Sequence, residues 1–97
     1  MRAKAITVDT QVSDHKIKIW GVLLRPLSID GGMITLYDEA DSSKTATKKV
    51  CALMAPAGST GSVSESKSVM FPSPLLCSTG LYADIEGSNA VVIIYLE

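Results

Sequence analysis

Residues 80–97 contain a segment that is apolar on both sides of a strand, which limits what the chain can fold into. On a sheet with one wet face, side chains alternate between apolar inward and polar outward. Leu81, Ala83 and Ile85 follow that rule, with Tyr82, Asp84 and Glu86 opposite them. Beyond a Gly87-Ser88-Asn89 turn the rule fails. Ala90, Val92, Ile94 and Leu96 form one face, and Val91, Ile93 and Tyr95 form the other. The two segments read as a terminal hairpin whose second strand needs cover on both faces. Ile17 to Leu24 has the same character, with Ile17, Ile19, Gly21 and Leu23 on one side and Trp20, Val22 and Leu24 on the other.

Period-two patterning runs through the rest of the chain, and no segment carries a helical stripe. Lys4 to Val8 reads as a first strand, polar Gln11 to Lys16 as a turn, and Met33 to Asp38 as a strand after the Asp30-Gly31-Gly32 turn. Arg25-Pro26 ends the second strand, because proline has no donor for the ladder. Glu39 to Thr47 reads as an exposed mixed-charge loop, and Lys48 to Ala55 resumes alternation. Pro56 to Ser66 is rich in Gly and Ser, and strands follow near Lys67 to Phe71 and Leu75 to Leu76. The expectation is an all-β fold: one antiparallel β-sandwich or small jelly roll of seven to eight short strands over residues 1–97.

At 97 residues, the chain can bury roughly 60 to 70% of its unfolded surface in one core. It is 46% hydrophobic but only 5% aromatic, too rich in aliphatic side chains for a disordered chain. The formal charge of −1 lacks the basic excess of a nucleic-acid binder. No apolar run reaches the roughly 18 residues that cross a bilayer as a helix. The first residues lead into an alternating pattern and not a secretory core, so the chain is expected to be made in a cytosol, with Cys51 and Cys77 reduced and partly buried.

Catalytic and metal chemistry find no signature. His15 is the only histidine and follows Asp14 in a polar turn, where a solvated surface side chain is the better account than a triad member. No Gly-x-Ser-x-Gly elbow and no phosphate-binding glycine motif is present. One histidine and two distant cysteines do not make a zinc site. Asp38, Glu39 and Asp41 cluster, but an EF-hand counted from Asp38 has Ser43 at its glycine position and Lys49 at its bidentate glutamate position. Those acids read as an exposed loop neutralised by Lys44, Lys48 and Lys49, and Asp84 with Glu86 as a water-facing pair. No enzyme, cofactor or metal is expected.

The anomalous strands remain. If they are neighbours, their second faces join into a patch of Trp20, Val22, Leu24, Val91, Ile93 and Tyr95. Leaving each large apolar side chain wet forgoes roughly 1.5 to 3 kcal/mol, and contiguous apolar patches mark interfaces. The patch is therefore the expected oligomer interface, closed by symmetry as a trimer or dimer. The alternative is cover from within the chain, by Leu75-Leu76 or by Arg25 to Ile29.

The run Ile34 to Asp38 after the Gly-Gly turn, then Phe71 to Leu76, then Gly80 to Ala90 with its apolar terminal strand, resembles small β-rich structural proteins of tailed bacteriophages. Some of these are capsid cement or decoration proteins that sit as trimers on an HK97-type shell. The resemblance implies a non-enzymatic virion protein on the capsid surface, whose partners are itself as a homotrimer and the major capsid protein, with neither nucleic acid nor membrane involved. Arg2, Lys4, Lys44, Lys48, Lys49, Gly58, Ser59 and Thr60 are the expected capsid contacts. A carbohydrate- or receptor-binding module of a tail or fibre is the alternative, with Trp20, Tyr37, Phe71, Tyr82 and Tyr95 as its aromatic candidates, and a small hydrolase comes third.

Overall fold

The computed structural model describes residues 2–27, 31–56, 66–86 and 90–97. They form eight strands: β1 (Arg2–Ile6), β2 (Thr10–Ser13), β3 (Ile17–Pro26), β4 (Gly32–Tyr37), β5 (Lys49–Ala55), β6 (Lys67–Cys77), β7 (Leu81–Glu86) and β8 (Ala90–Leu96). A short 3₁₀ turn, Ala46–Lys48, precedes β5. The strands make two four-stranded sheets, β1-β8-β3-β6 and β2-β7-β4-β5, with antiparallel neighbours throughout. This is the β-sandwich that the alternation predicts. Its core takes Ile6, Ile19, Val22, Leu24, Val92, Ile94 and Leu96 from the first sheet and Ile34, Leu36, Leu81 and Ala83 from the second.

The expected terminal hairpin is not formed. β7 lies in the second sheet between β2 and β4, and β8 lies in the first between β1 and β3, so the chain changes sheet between them. In the first sheet β8 is an interior strand, and its Ala90, Val92, Ile94 and Leu96 face the core. The turn residues 87–89 lie outside the described residues.

Two further differences concern polar and proline-containing segments. Gln11 to Ser13, expected to be part of a turn, belongs to β2, which pairs with β7. The Gln11 side-chain amide donates to the carbonyls of Ser13, Glu39 and Leu81 at 2.8, 2.9 and 3.2 Å, which fixes a strand that has no apolar alternation. The two strands expected near Lys67–Phe71 and Leu75–Leu76 are one, because β6 is an edge strand and accommodates Pro72 and Pro74 there. Proline does close β3, whose final pair is Pro26 with Ala90.

The most consequential difference is a register shift in β3 between Ile19 and Gly21. Ile19 opposes Leu75 and Gly21 opposes Met70, so Trp20 stands against the whole Phe71–Pro74 excursion of β6. One extra residue reverses inside and outside for everything that follows. Val22 and Leu24, expected on the outer patch, are therefore in the core with no exposed surface, and Leu23 takes the outer side. Leu24→Ala is expected to cost about 2 to 5 kcal/mol in urea unfolding, against less than about 1 kcal/mol for Leu23→Ala. Equal losses would contradict this parity.

Candidate functional site

The outer face of the first sheet can be read row by row from its registers. Ala3, Tyr95, Gly21 and Met70 lie across from one another, as do Ala5, Ile93, Leu23 and Ser68, and Val91 sits beside Arg25. Leu23, Val91, Ile93 and Tyr95 are half-buried by lateral packing, but none belongs to the core or packs against it. Met70 is 53% exposed and Leu76 50%. A Cβ on Gly21 would stand 2.6 Å from the Val69 carbonyl oxygen and collide with the Met70 sulfur, so glycine leaves room for Met70 to lie across β3. Among the described residues, no segment is folded over this face.

Trp20, also half-buried and outside the core, lies on the same strand in the shifted register. Four of the six expected interface residues, Trp20, Val91, Ile93 and Tyr95, thus remain outside the core, while Val22 and Leu24 do not. Leu23, Met70 and the small Ala3 and Ala5 complete the face. Leu23 was misplaced by strict alternation. The signal that could have corrected it is Gly21 next to the bulky Trp20, since a glycine within a strand often marks a bulge.

The second sheet is different, because residues 38–48 fold back onto its outer face. Asp38 N–H donates to the Lys48 carbonyl at 2.8 Å, closing the loop. The Glu39 carboxylate accepts the Thr45 N–H at 3.2 Å, and the Lys44 ammonium lies 3.6 Å from the buried Asp84 carboxylate on β7. Lys44 adopts φ +53°, an uncommon left-handed conformation for a non-glycine residue. The Asp84 charge, with smaller help from Asp9 and Tyr82, raises the Lys44 pKa. Tyr37, Tyr82, Thr35 and Glu39 are buried around this loop. The segment is exposed from Ala40 to Thr47, as expected of a loop, but Glu39 is buried, and the segment's acids are occupied chiefly by backbone amides and not by its own lysines, so it acts as a strap. Asp84 is accordingly not a water-facing carboxylate.

Asp38 anchors the turn from β6 to β7. Its carboxylate accepts the N–H groups of Ser78, Thr79 and Gly80 at 3.1, 2.8 and 3.2 Å, and the Ser78 hydroxyl at 3.3 Å. Burial alone would push its pKa up, but these donors together hold it below 3.8.

The expected capsid-contact cations do not converge. Arg2 and Lys4 are exposed on edge strand β1, Lys48 and Lys49 are exposed beside edge strand β5, and Lys44 is held by Asp84. Gly58, Ser59 and Thr60 lie outside the described residues. Arg2 instead shares an open cleft of about 460 Å³ with His15, Lys16, Lys18, Leu76 and Glu97. His15 Nδ1 is 3.0 Å from Asp14 Oδ1, and both side chains are more than three-quarters exposed. The adjacent Ser13 hydroxyl donates to the main-chain carbonyl of His15, not to its ring. Cys51 and Cys77 are free thiols. Burial, with Asp38 adding to it, pushes the Cys77 thiol up to about 11, so it is uncharged at neutral pH. As for an aromatic platform, Tyr37 and Tyr82 are buried and Phe71 packs against the core.

No protein-family model, characterised protein or solved structure compared with this chain matches it. Among the described residues, no helix is long and apolar enough to cross a membrane.

The Asp38 cap predicts an acid dependence. A carboxylate whose folded pKa lies below its unfolded value stabilises the fold above the unfolded value, and that contribution is lost as pH falls through the folded one. The stability of the wild-type protein should therefore drop as pH falls from 3.8 downward. Asp38→Asn should be less stable at pH 7 and show a shallower acid loss, measured by urea midpoints across pH. Parallel curves for the two proteins would refute the cap.

Proposed function

We propose that this chain is a non-enzymatic structural protein that self-associates through the outer face of its first sheet. The observation that carries this reading is the contrast between the two sheets. The second has the polar part of its outer face covered by the strap at residues 38–48, with only the small patch of Met33, Ala52 and Met54 beside it, while the first presents the larger set Ala3, Ala5, Leu23, Met70, Val91, Ile93 and Tyr95 with no described segment over them. Uncovered apolar area is worth roughly 25 cal/mol per Å² when removed from water. The molecule measures 42 × 27 × 20 Å, so a broad face has room for the roughly 800 Å² that each partner buries in a standard interface.

The finer reading follows the resemblance to small tailed-phage virion proteins. On that reading the chain is a capsid cement or decoration protein, assembled as a homotrimer that binds the major capsid protein on the virion surface. Its action is mechanical, with apolar faces holding the oligomer and exposed basic residues such as Lys48 and Lys49 meeting the shell. The sheet orders β1-β8-β3-β6 and β2-β7-β4-β5 support reading the sandwich as a jelly roll.

Replacing Leu23 and Ile93 together by lysine tests the interface. The double variant should keep a β-sheet circular-dichroism spectrum but sediment as a monomer under conditions where the wild type is oligomeric. An unchanged sedimentation coefficient would place the contact elsewhere.

A further inference from the structure

The net charge of −1 conceals a separation between the sheets. Among the described residues, the first sheet and the turn leading into it carry six cations, Arg2, Lys4, Lys16, Lys18, Arg25 and Lys67, against the two carboxylates Asp14 and Glu97. The second sheet and its loops carry six carboxylates, Asp9, Asp38, Glu39, Asp41, Asp84 and Glu86, against Lys44, Lys48 and Lys49. Only Lys18 and Arg25 stand on the apolar outer face itself, whereas Arg2, Lys4 and Lys67 share rows with the core residues Leu96, Ile94 and Leu24 on the other side of the sheet.

Like charges brought together across an interface suppress it, whereas complementary ones favour and orient it. A two-fold contact of this face with itself would bring Lys18 and Arg25 of one copy toward the same cations of the other. The second sheet offers a better match. Next to its strap, Met33, Ala52 and Met54 form a small apolar patch, with Met54 65% exposed and Glu86 directly across from Met33. Methionine adapts readily to an irregular apolar partner. Val91, Leu23 and Arg25 on the first sheet complement Met33, Met54 and Glu86 in both greasiness and charge.

We infer that copies of this chain associate heterologously, the outer face of the first sheet of one copy lying on the outer face of the second sheet of the next. The inference rests on the self-association proposed above and adds the partner surface and the polarity of the contact. Such a contact is not complete in a pair. It passes to a third copy, which either closes a ring or extends a stack.

Charge-reversed variants decide between the two arrangements. One carries Lys18→Glu and Arg25→Glu, the other Asp41→Lys and Glu86→Lys, all at exposed positions. Light scattering should show association weakened by roughly tenfold or more in each variant alone. An equimolar mixture should recover the association of the wild type, since the two intact faces pair and the two reversed faces, one now acidic and the other basic, are complementary again. If the second variant associates like the wild type, the contact is face to face within the first sheet and the inference fails while self-association stands. It fails equally if neither variant weakens association or if the mixture does not pair. A wild type that stays monomeric at all concentrations overturns both.

Discussion

The extra residue at Trp20 decides which of this protein's apolar side chains are core and which are surface. β3 is an interior strand with ten residues, almost all apolar, and alternation alone has two ways to seat it. The register shift between Ile19 and Gly21 lets Ile19, Val22 and Leu24 all point inward, although one of them breaks the simple alternation. Opposite the shift, β6 spreads Phe71–Pro74 against a single residue, which an edge strand tolerates because no further partner depends on its donors. The outer row of Leu23, Ile93 and Ala5 then follows from the pairing of β3, β8 and β1.

The two sheets solve the same covering problem differently. The second carries a polar and aromatic stretch of outer face, with Thr35 beside Asp84 and Tyr37 beside Tyr82, and covers that stretch with a strap fixed by directional bonds, leaving Met33, Ala52 and Met54 beside it. Buried polar groups demand such partners. The first carries an aliphatic outer face that has no directional requirement and can accept any complementary apolar surface. That difference leaves the broader apolar face on the first sheet and only the Met33, Ala52 and Met54 patch on the second.

Much of this was legible in the sequence. Alternating short strands and turn dipeptides announced an all-β sandwich, and the double-sided apolarity of Ala90 to Leu96 located the open face at Val91, Ile93 and Tyr95. What escaped were features set by tertiary pairing. The bulge at Trp20 depends on the partner strand, so strict alternation puts Val22 and Leu24 outward. The passage from β7 to β8 changes sheets, which a short turn between two strands does not reveal. The strap was invisible because its key contacts, Lys44 with Asp84 and Glu39 with Gln11, join residues forty and twenty-eight positions apart. The candidate cations read as one surface are dispersed over opposite edges, because sequence charge carries no information about sheet membership.

The central claim is that the aliphatic face of the first sheet is covered by another copy of the chain. Light scattering of the unmodified protein over a wide dilution range tests it most directly. The account predicts a molar mass that is a multiple of 10.3 kDa at high concentration and falls on dilution or on lysine substitution at Leu23 and Ile93. A constant 10.3 kDa at every concentration would contradict it.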